Sequence, residues 1–372
     1  MTRWSWLPLR WIIRKAATAQ GFLDPVEILG RLRGLAQPSE VGEPIELLRA
    51  GVVFHARGLI NSKVIQHNLD WVWPYWVERQ YDPCDRSFLP RAFSVTHVNL
   101  THRNWTAIGH PDLDSLPIVD PRGLLTPNLD GWSIDAWVLA EDGRQLFPSR
   151  AVECTQTYDL ADGVAVETHS EQNDLTLSTR AEVCVETGQI VCRLTASAAD
   201  RRGGRASVVL GVRPQNPEGV SFVNDVKLEE GGRCWRVNSE TAVQLDRPPA
   251  RHHVSNYRDG DVLFRLPAGE EANTVSCPRG QASAAAVWDF LGNGTAGARI
   301  VLHGPGTDAP QEDAWAAERE GVCRLQCPDP HYRFLYNAAV TSLVLHSPAD
   351  AYPGPYTYKR FWFRDAVFIT NA

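Results

Sequence analysis

The spacing of apolar and polar positions divides the chain into three zones. Residues 1–90 read as a helical, Trp-rich lead. Asp24-Pro25-Val26-Glu27 carries a capping aspartate, a proline suited to the first helical position and a glutamate that completes a capping box. Val26, Leu29, Leu32 and Leu35 then recur on one helical face, and Pro44 to Arg49 predicts a second short helix. Trp71-Val72-Trp73-Pro74-Tyr75-Trp76 is too aromatic and proline-interrupted for a regular element. Residues 91–312 alternate instead with a period of two. Trp132–Leu139, Gly163–Thr168, Leu175–Val185, Gln189–Ala196, Ser207–Val212 and Asp261–Leu266 predict strands. Turn pairs such as Asp142-Gly143, Thr187-Gly188 and Asp259-Gly260 punctuate them. Short strands with no helical pattern between them predict a mainly β fold, a large antiparallel β-sandwich.

Residues 313–372 return to helical spacing. Asp329-Pro330 supplies a cap and a first-turn proline, and Phe334, Leu335, Ala338, Ser342, Leu343 and Leu345 predict a helix to His346, ended by Pro348. A Pro/Gly/Tyr loop, Tyr352 to Tyr356, leads into a second apolar segment, Phe361–Ile369. The pattern stops at Ala372 without cap or polar tail, so the sequence is expected to be the N-terminal part of a longer protein.

Composition changes this picture little. A chain of 372 residues with 43% hydrophobic and 22% charged residues buries a sizeable core and is not a disordered or low-complexity protein. A net charge of −7 argues against a nucleic-acid partner bound through phosphate neutralisation. No run of apolar residues is long enough for a transmembrane helix, so no membrane association is expected. Trp4 to Ile13 is broken by Pro8 and Arg10 and lacks the form of a signal peptide, which points to a cytoplasmic protein. The eight cysteines are scattered, several beside Val or Leu in strand patterns, and read as free thiols. Cys323 and Cys327 lack a second ligand pair, so no metal is expected. The 13 tryptophans stand out against a single methionine.

The most informative segment is Tyr358-Lys359-Arg360-Phe361-Trp362-Phe363-Arg364-Asp365-Ala366-Val367-Phe368. It resembles the aromatic-x-Arg-Asp-Ala-x-Phe segment that opens the catalytic barrel of glucoamylase-like glycoside hydrolases. Val212-Arg213-Pro214-Gln215-Asn216-Pro217-Glu218-Gly219 also resembles a strand-and-turn element of the sandwiches in related bacterial proteins. The resemblance implies a β-sandwich followed by the first helices of an incomplete (α/α)6 barrel. It implies hydrolysis of an α-glucosidic bond with inversion; a phosphorylase acting on related glucosides belongs to the same clan. It also implies that Arg364 and Asp365, with Trp362 beside them, contact the terminal sugar next to the scissile bond. The chemistry of the residues agrees: an aspartate accepts from adjacent hydroxyls, an arginine donates, and aromatics stack on sugar faces.

Hydrolysis needs two carboxylates flanking the bond. The family supplies them from loops later in the barrel, and twelve helices with their loops need roughly 200 residues. No catalytic residue is therefore assigned, and the chain by itself is expected to be inactive. Glu153, Glu167 and Glu182 read as solvent-facing strand residues. Trp71, Trp73, Tyr75 and Trp76 are read as packing rather than as a sugar platform. Arg201-Arg202-Gly203-Gly204-Arg205 reads as a solvated hairpin loop, and adjacent His252 and His253 point to opposite faces of a strand. There is no phosphate loop, G-x-S-x-G or H-E-x-x-H motif, and no cofactor is expected. The expected partner is an oligosaccharide or glucoside substrate. The alternatives are a non-catalytic β-sandwich module binding carbohydrate or a partner protein, and an inactive truncated gene product.

Overall fold

The computed structural model describes residues 64, 65, 67–79, 104–113, 115–128, 131–161, 163–217, 219–229, 232–267, 271–302, 310, 313–347 and 363–371. The chain divides into two compact units, Met1–His67 with Arg91–His97, and Asn68–Pro90 with Val98–Ala372. Only Val64, Ile65 and His67 are described in the first. The helices expected at 24–35 and 44–49 lie outside the described residues.

The second unit is mainly β. Its strands are β1 (Thr106–Ala107), β2 (Ile118–Val119), β3 (Leu125–Thr126), β4 (Ser133–Ala140), β5 (Gln145–Leu146), β6 (Glu153–Asp159), β7 (Ala165–Gln172), β8 (Leu175–Glu186), β9 (Gln189–Asp200) and β10 (Arg205–Arg213). They continue as β11 (Gln215–Asn216), β12 (Gly219–Val220), β13 (Asp225–Glu229), β14 (Cys234–Val237), β15 (Thr241–Leu245), β16 (Arg251–Ser255), β17 (Thr274–Ser276), β18 (Ser283–Leu291) and β19 (Asn293–Leu302). Four helices are described: α1 (Tyr75–Glu78), α2 (Ala314–Arg319), α3 (Pro330–His346) and α4 (Phe363–Asn371). Every pairing between described strands is antiparallel.

The period-two pattern explains the layering. In β8 alternate residues Leu175, Leu177, Ala181 and Val183 are buried, and Arg180 and Glu182 face outward. β8 joins β9 through Thr187-Gly188, both at positive φ, the backbone of a tight hairpin turn. β7 joins β8 the same way through Asn173-Asp174. Ile134, Ala136 and Val138 of β4, Val208 and Leu210 of β10, and Ala284, Ala286 and Trp288 of β18 share one core with inward residues of β8, β9 and β19. Inward residues of these antiparallel strands thus meet in one common core.

The opposite face of β4, β10 and β18 is covered as well. Trp137, Val209, Ala285 and Val287 form a second cluster with Val72, Phe147, Val262 and Leu266. Being covered on both sides explains why Ala284 to Trp288 is an unbroken apolar run. Asp261–Leu266, expected to be a strand, is instead a 3-10 turn over Val262–Arg265. Asp261 accepts the Leu263 N–H (3.1 Å) and pairs with Arg213, which holds these residues as a cap over the sheet. Trp71–Trp76 was expected to be irregular, but its last two residues, Tyr75 and Trp76, open one helical turn to Glu78, in which the Pro74 carbonyl accepts the N–H groups of Val77 and Glu78.

The cover is fastened by a buried ion pair. Arg213 and Asp261 side chains are fully buried and bidentate, at 2.6 and 2.5 Å. Asp261 Oδ2 accepts the Val72 N–H (2.9 Å), and the Val72 carbonyl accepts from Arg213 Nη2 (2.9 Å) and Gln215 Nε2 (2.7 Å). The guanidinium carbon also lies 5.0 Å from the centroid of the Trp137 ring. Both ends of the Val72 peptide are therefore satisfied without water.

Helix α2 docks on the β6–β7 connection. Trp315 lies against Gly163, where a Cβ would sit 2.6 Å from the indole nitrogen, and Arg319 donates to the Leu160 carbonyl (2.6 Å). Helix α3 begins where expected: Asp329 accepts the His331 N–H (2.8 Å) and Pro330 takes the first turn. Near its other end Leu345 is buried in the main core against Gly109.

Asp261→Ala is expected to destabilise the protein by about 3–5 kcal/mol, because it leaves Arg213 charged, buried and unpaired. The double change Arg213→Met with Asp261→Leu is expected to cost less than Asp261→Ala. Urea denaturation followed by tryptophan fluorescence measures both. Equal stability of Asp261→Ala and the parent would contradict the fastening role.

Candidate functional site

Helix α4 carries the sequence-predicted sugar-binding residues. Arg364 and Asp365 lie in its first turn, where a carboxylate is favoured by the exposed N–H groups and dipole of the helix. The Arg364 side chain is 83% exposed, and its Nη2 stands 3.5 Å from Asp365 Oδ1, whose side chain is 31% exposed. Ala366 alone on this helix is buried, and Thr370 Oγ1 returns a hydrogen bond to its carbonyl (2.8 Å). Phe363, Val367 and Phe368 are exposed. Trp362 lies outside the described residues. The helix thus presents an Arg–Asp pair flanked by aromatics on its open side.

The neighbouring α3 is apolar around much of its circumference yet largely uncovered in its N-terminal half. Tyr332, Phe334 and Leu335 are exposed. Phe334 meets the β-region at Tyr158, with ring centroids 6.4 Å apart. A helix apolar on several faces is normally enclosed on those faces.

The lead tryptophans take the opposite course. Trp71, Trp73 and Trp76 are almost fully buried, and the Trp71 and Trp73 rings lie 6.0 Å apart and near parallel. They are packing residues, as the sequence suggested. Glu153 and Glu167 are exposed, and Glu167 and Glu182 share the Arg180 guanidinium at 2.6 and 2.8 Å. Arg201 and Arg202 occupy the β9–β10 loop, paired with Glu171 and Asp174. His252 reaches Asn273 (2.7 Å) on one face of β16, and His253 is buried on the other. Among the described residues no group of three or more His, Cys, Asp or Glu is arranged to hold a metal ion, and no helix is long and apolar enough to cross a membrane.

Two buried carboxylates were not evident from the sequence. Burial pushes the Asp120 carboxyl up to about 7, although Oδ1 accepts the N–H groups of Arg122 (2.7 Å) and Leu124 (2.9 Å). Burial pushes Asp135 up to about 6, opposed by the Trp137 indole N–H (2.8 Å) and the charge of Arg213. The signal for Asp135 was its place inside the apolar run 132–139. Asp120 gave none, since Asp-Pro-Arg-Gly reads as an ordinary turn. Arg213, Gln215 and Asn216, inside the segment that resembled a family element, prove to hold backbone: Val72 for the first two and Gly131 for Asn216 (2.7 Å).

No family model matches the chain, and no curated protein matches it. Among solved structures it is similar to a bacterial glucoamylase complexed with acarbose, with 9% identity and a TM-score of 0.39 over 65% of this chain and 36% of that one. A 4-α-glucanotransferase from Thermococcus litoralis is 9% identical, with a TM-score of 0.33 over 79% of this chain and 55% of that one. An α-mannosidase from Bacteroides thetaiotaomicron is 7% identical, with a TM-score of 0.22 over 65% and 35%. The chain spans between about a third and just over half of these proteins. At these values the likeness assigns neither a family nor an activity.

The raised carboxyls carry a pH signature. Both hold a proton in the folded state at pH values where the unfolded chain has released it. They therefore favour folding most below pH 4 and lose this contribution as pH rises toward 7. Asp120→Asn keeps an acceptor for both N–H groups and removes the ionisable proton. It is expected to raise stability at pH 7 relative to pH 4.5, when each is compared with the parent by urea denaturation. An unchanged pH dependence would show that Asp120 ionises normally.

Proposed function

We propose that this chain is the N-terminal part of a carbohydrate-active enzyme of the glucoamylase-like kind. Its β-region is a scaffold, and α3 and α4 belong to the first helices of an (α/α)6 barrel. In this reading the enzyme hydrolyses α-glucosidic bonds with inversion. Arg364 and Asp365, with Trp362, hold the terminal sugar beside the scissile bond, and no residue of this chain is the acid or the base.

The observation that supports the reading is the open Arg364–Asp365 pair on α4, a helix that also exposes Phe363, Val367 and Phe368. An arginine and a carboxylate in the first turn of a helix supply donors and acceptors for sugar hydroxyls. Exposed Phe363, Val367 and Phe368 are what a helix carries on faces that pack against further helices. The anchoring of α2 by Trp315 and Arg319 gives the helical part a fixed seat on the β-region.

The 372-residue chain is expected to give no hydrolysis of maltose or p-nitrophenyl α-glucoside. Turnover abolished by changing one carboxylate of this chain would overturn the assignment. The uncovered helices are expected to bind the dye ANS in native buffer. Joint replacement of Phe363, Val367 and Phe368 by serine is expected to lower that fluorescence severalfold while far-UV circular dichroism stays unchanged.

A further inference from the structure

The β-region also holds a cavity of about 460 Å³ beside β14, β15 and β19. Strand register explains its floor. Arg236 of β14 lies opposite Ala242 of β15. Val243 lies opposite Ile300 of β19, which sets Ala242 beside Val301. Val243 and Leu245 turn into the main core, so Ala242 and Gln244 face the other way. Ala242, with only a methyl group, is the low point between the longer Arg236 and Val301. Glu240 and Thr241 form one wall at the β14–β15 turn, and Ser115 and Asn128 contribute from loops distant in sequence.

The polar groups around this floor are held in position. Arg236 Nε donates to Glu229 Oε2 (3.0 Å). Lys227 hydrogen-bonds the same carboxyl, holding it below the usual range. Gln244 Oε1 accepts from Arg299 Nε (2.9 Å), so its NH2 group is what it has left to offer a ligand. The turn before Glu240 is fixed by Asn238 and Ser239 at positive φ, with Asn238 Oδ1 accepting the Asn224 N–H (2.7 Å) and Ser239 donating to Asp225 (3.0 Å).

These groups select a chemistry. Arg236 and Lys227 share the Glu229 carboxylate and Glu240 adds a second one, so two cations face two carboxylates and no net positive charge is left to hold a phosphate or other anion. Among the described residues no aromatic lines the cavity, so a planar base has nothing to stack on. What remains is one carboxylate, two amides and two hydroxyls around an aliphatic floor. Such groups exchange hydrogen bonds with neighbouring hydroxyls while Ala242 and Val301 meet a C–H face. The volume lies within the range of small-ligand sites. We infer that this cavity binds a neutral sugar of one or two rings. The inference requires only the β-region; it does not rest on the hydrolase reading, from which only the α-linked probe is taken.

The test titrates the full chain with maltose and with cellobiose by calorimetry, alongside Gln244→Ala, Glu240→Gln, Ala242→Leu and Arg364→Ala. At least one disaccharide is expected to bind with a millimolar Kd. Gln244→Ala and Glu240→Gln are each expected to weaken it about tenfold, the loss of one good hydrogen bond. Ala242→Leu is expected to abolish binding in the cavity by filling its floor, whereas Arg364→Ala removes only sugar held on α4 and leaves the component that Ala242→Leu removes. Circular dichroism checks each fold; if Ala242→Leu does not fold, the Gln244 and Glu240 variants decide. Absence of binding by both sugars overturns the inference, as does binding that survives all three cavity variants. Binding lost only in Arg364→Ala also overturns it, and would favour the sugar site proposed on α4 instead.

Discussion

The pairing of Arg213 with Asp261 fixes how the β-region is covered. A guanidinium and a carboxylate removed from water each cost several kcal/mol, offset by close bidentate pairing and by further hydrogen bonds to the two groups. Here Asp261 is shared by Arg213, the Val72 N–H and the Leu263 N–H, and Arg213 returns to the Val72 carbonyl and lies over Trp137. One pair thereby ties together strand β10, the 3-10 turn and the Trp71–Trp73 segment. The outer face of β4, β10 and β18 is apolar because these segments lie on it. They in turn are held there by a charge that cannot be left alone.

The two aromatic-rich stretches follow from this in opposite ways. Trp71, Trp73 and Trp76 meet an existing surface and disappear into it. Phe363 and Phe368 sit on a helix whose one buried residue is Ala366, and both are largely exposed. Between the two regions α2 provides a rigid junction. Gly163 at φ +103 has no room for a side chain under Trp315, so helix and hairpin meet at contact distance.

The β-region itself is more than a support in physical terms. The outer row of β14, β15 and β19 alternates long polar side chains with Ala242, which creates concavity on an otherwise flat surface. Arg236 pairs with Glu229 and Arg299 with Glu186, and Arg299 Nε donates to Gln244, which orients its amide. Preorganisation of this kind lowers the entropic cost of binding.

Much of the architecture is written in local pattern. Period-two alternation placed β4 and β7 to β10 within a few residues, and Asp329-Pro330 marked the start of α3, because strand faces and helix caps depend on neighbours in the chain. The hairpin turns at Asn173-Asp174 and Asn238-Ser239 were less visible, since neither carries the glycine that usually signals positive φ. Arg364 and Asp365 stood out by resemblance, whereas spacing alone left them an ordinary helix start. Tertiary structure decided the rest. Asp261–Leu266 has the composition of a strand, but a partner 48 residues away in sequence turned it into a cap. Asp120 acquired its raised carboxyl from burial that its Asp-Pro-Arg-Gly turn does not encode, whereas Asp135 was marked only by its place in the apolar run 132–139. The sugar-sized cavity draws on Ser115 and Asn128 from loops and on Arg236 and Val301 from strands, residues that only the tertiary fold brings together. Alternation and capping are properties of adjacent residues; burial, charge pairing and concavity arise only when distant segments meet.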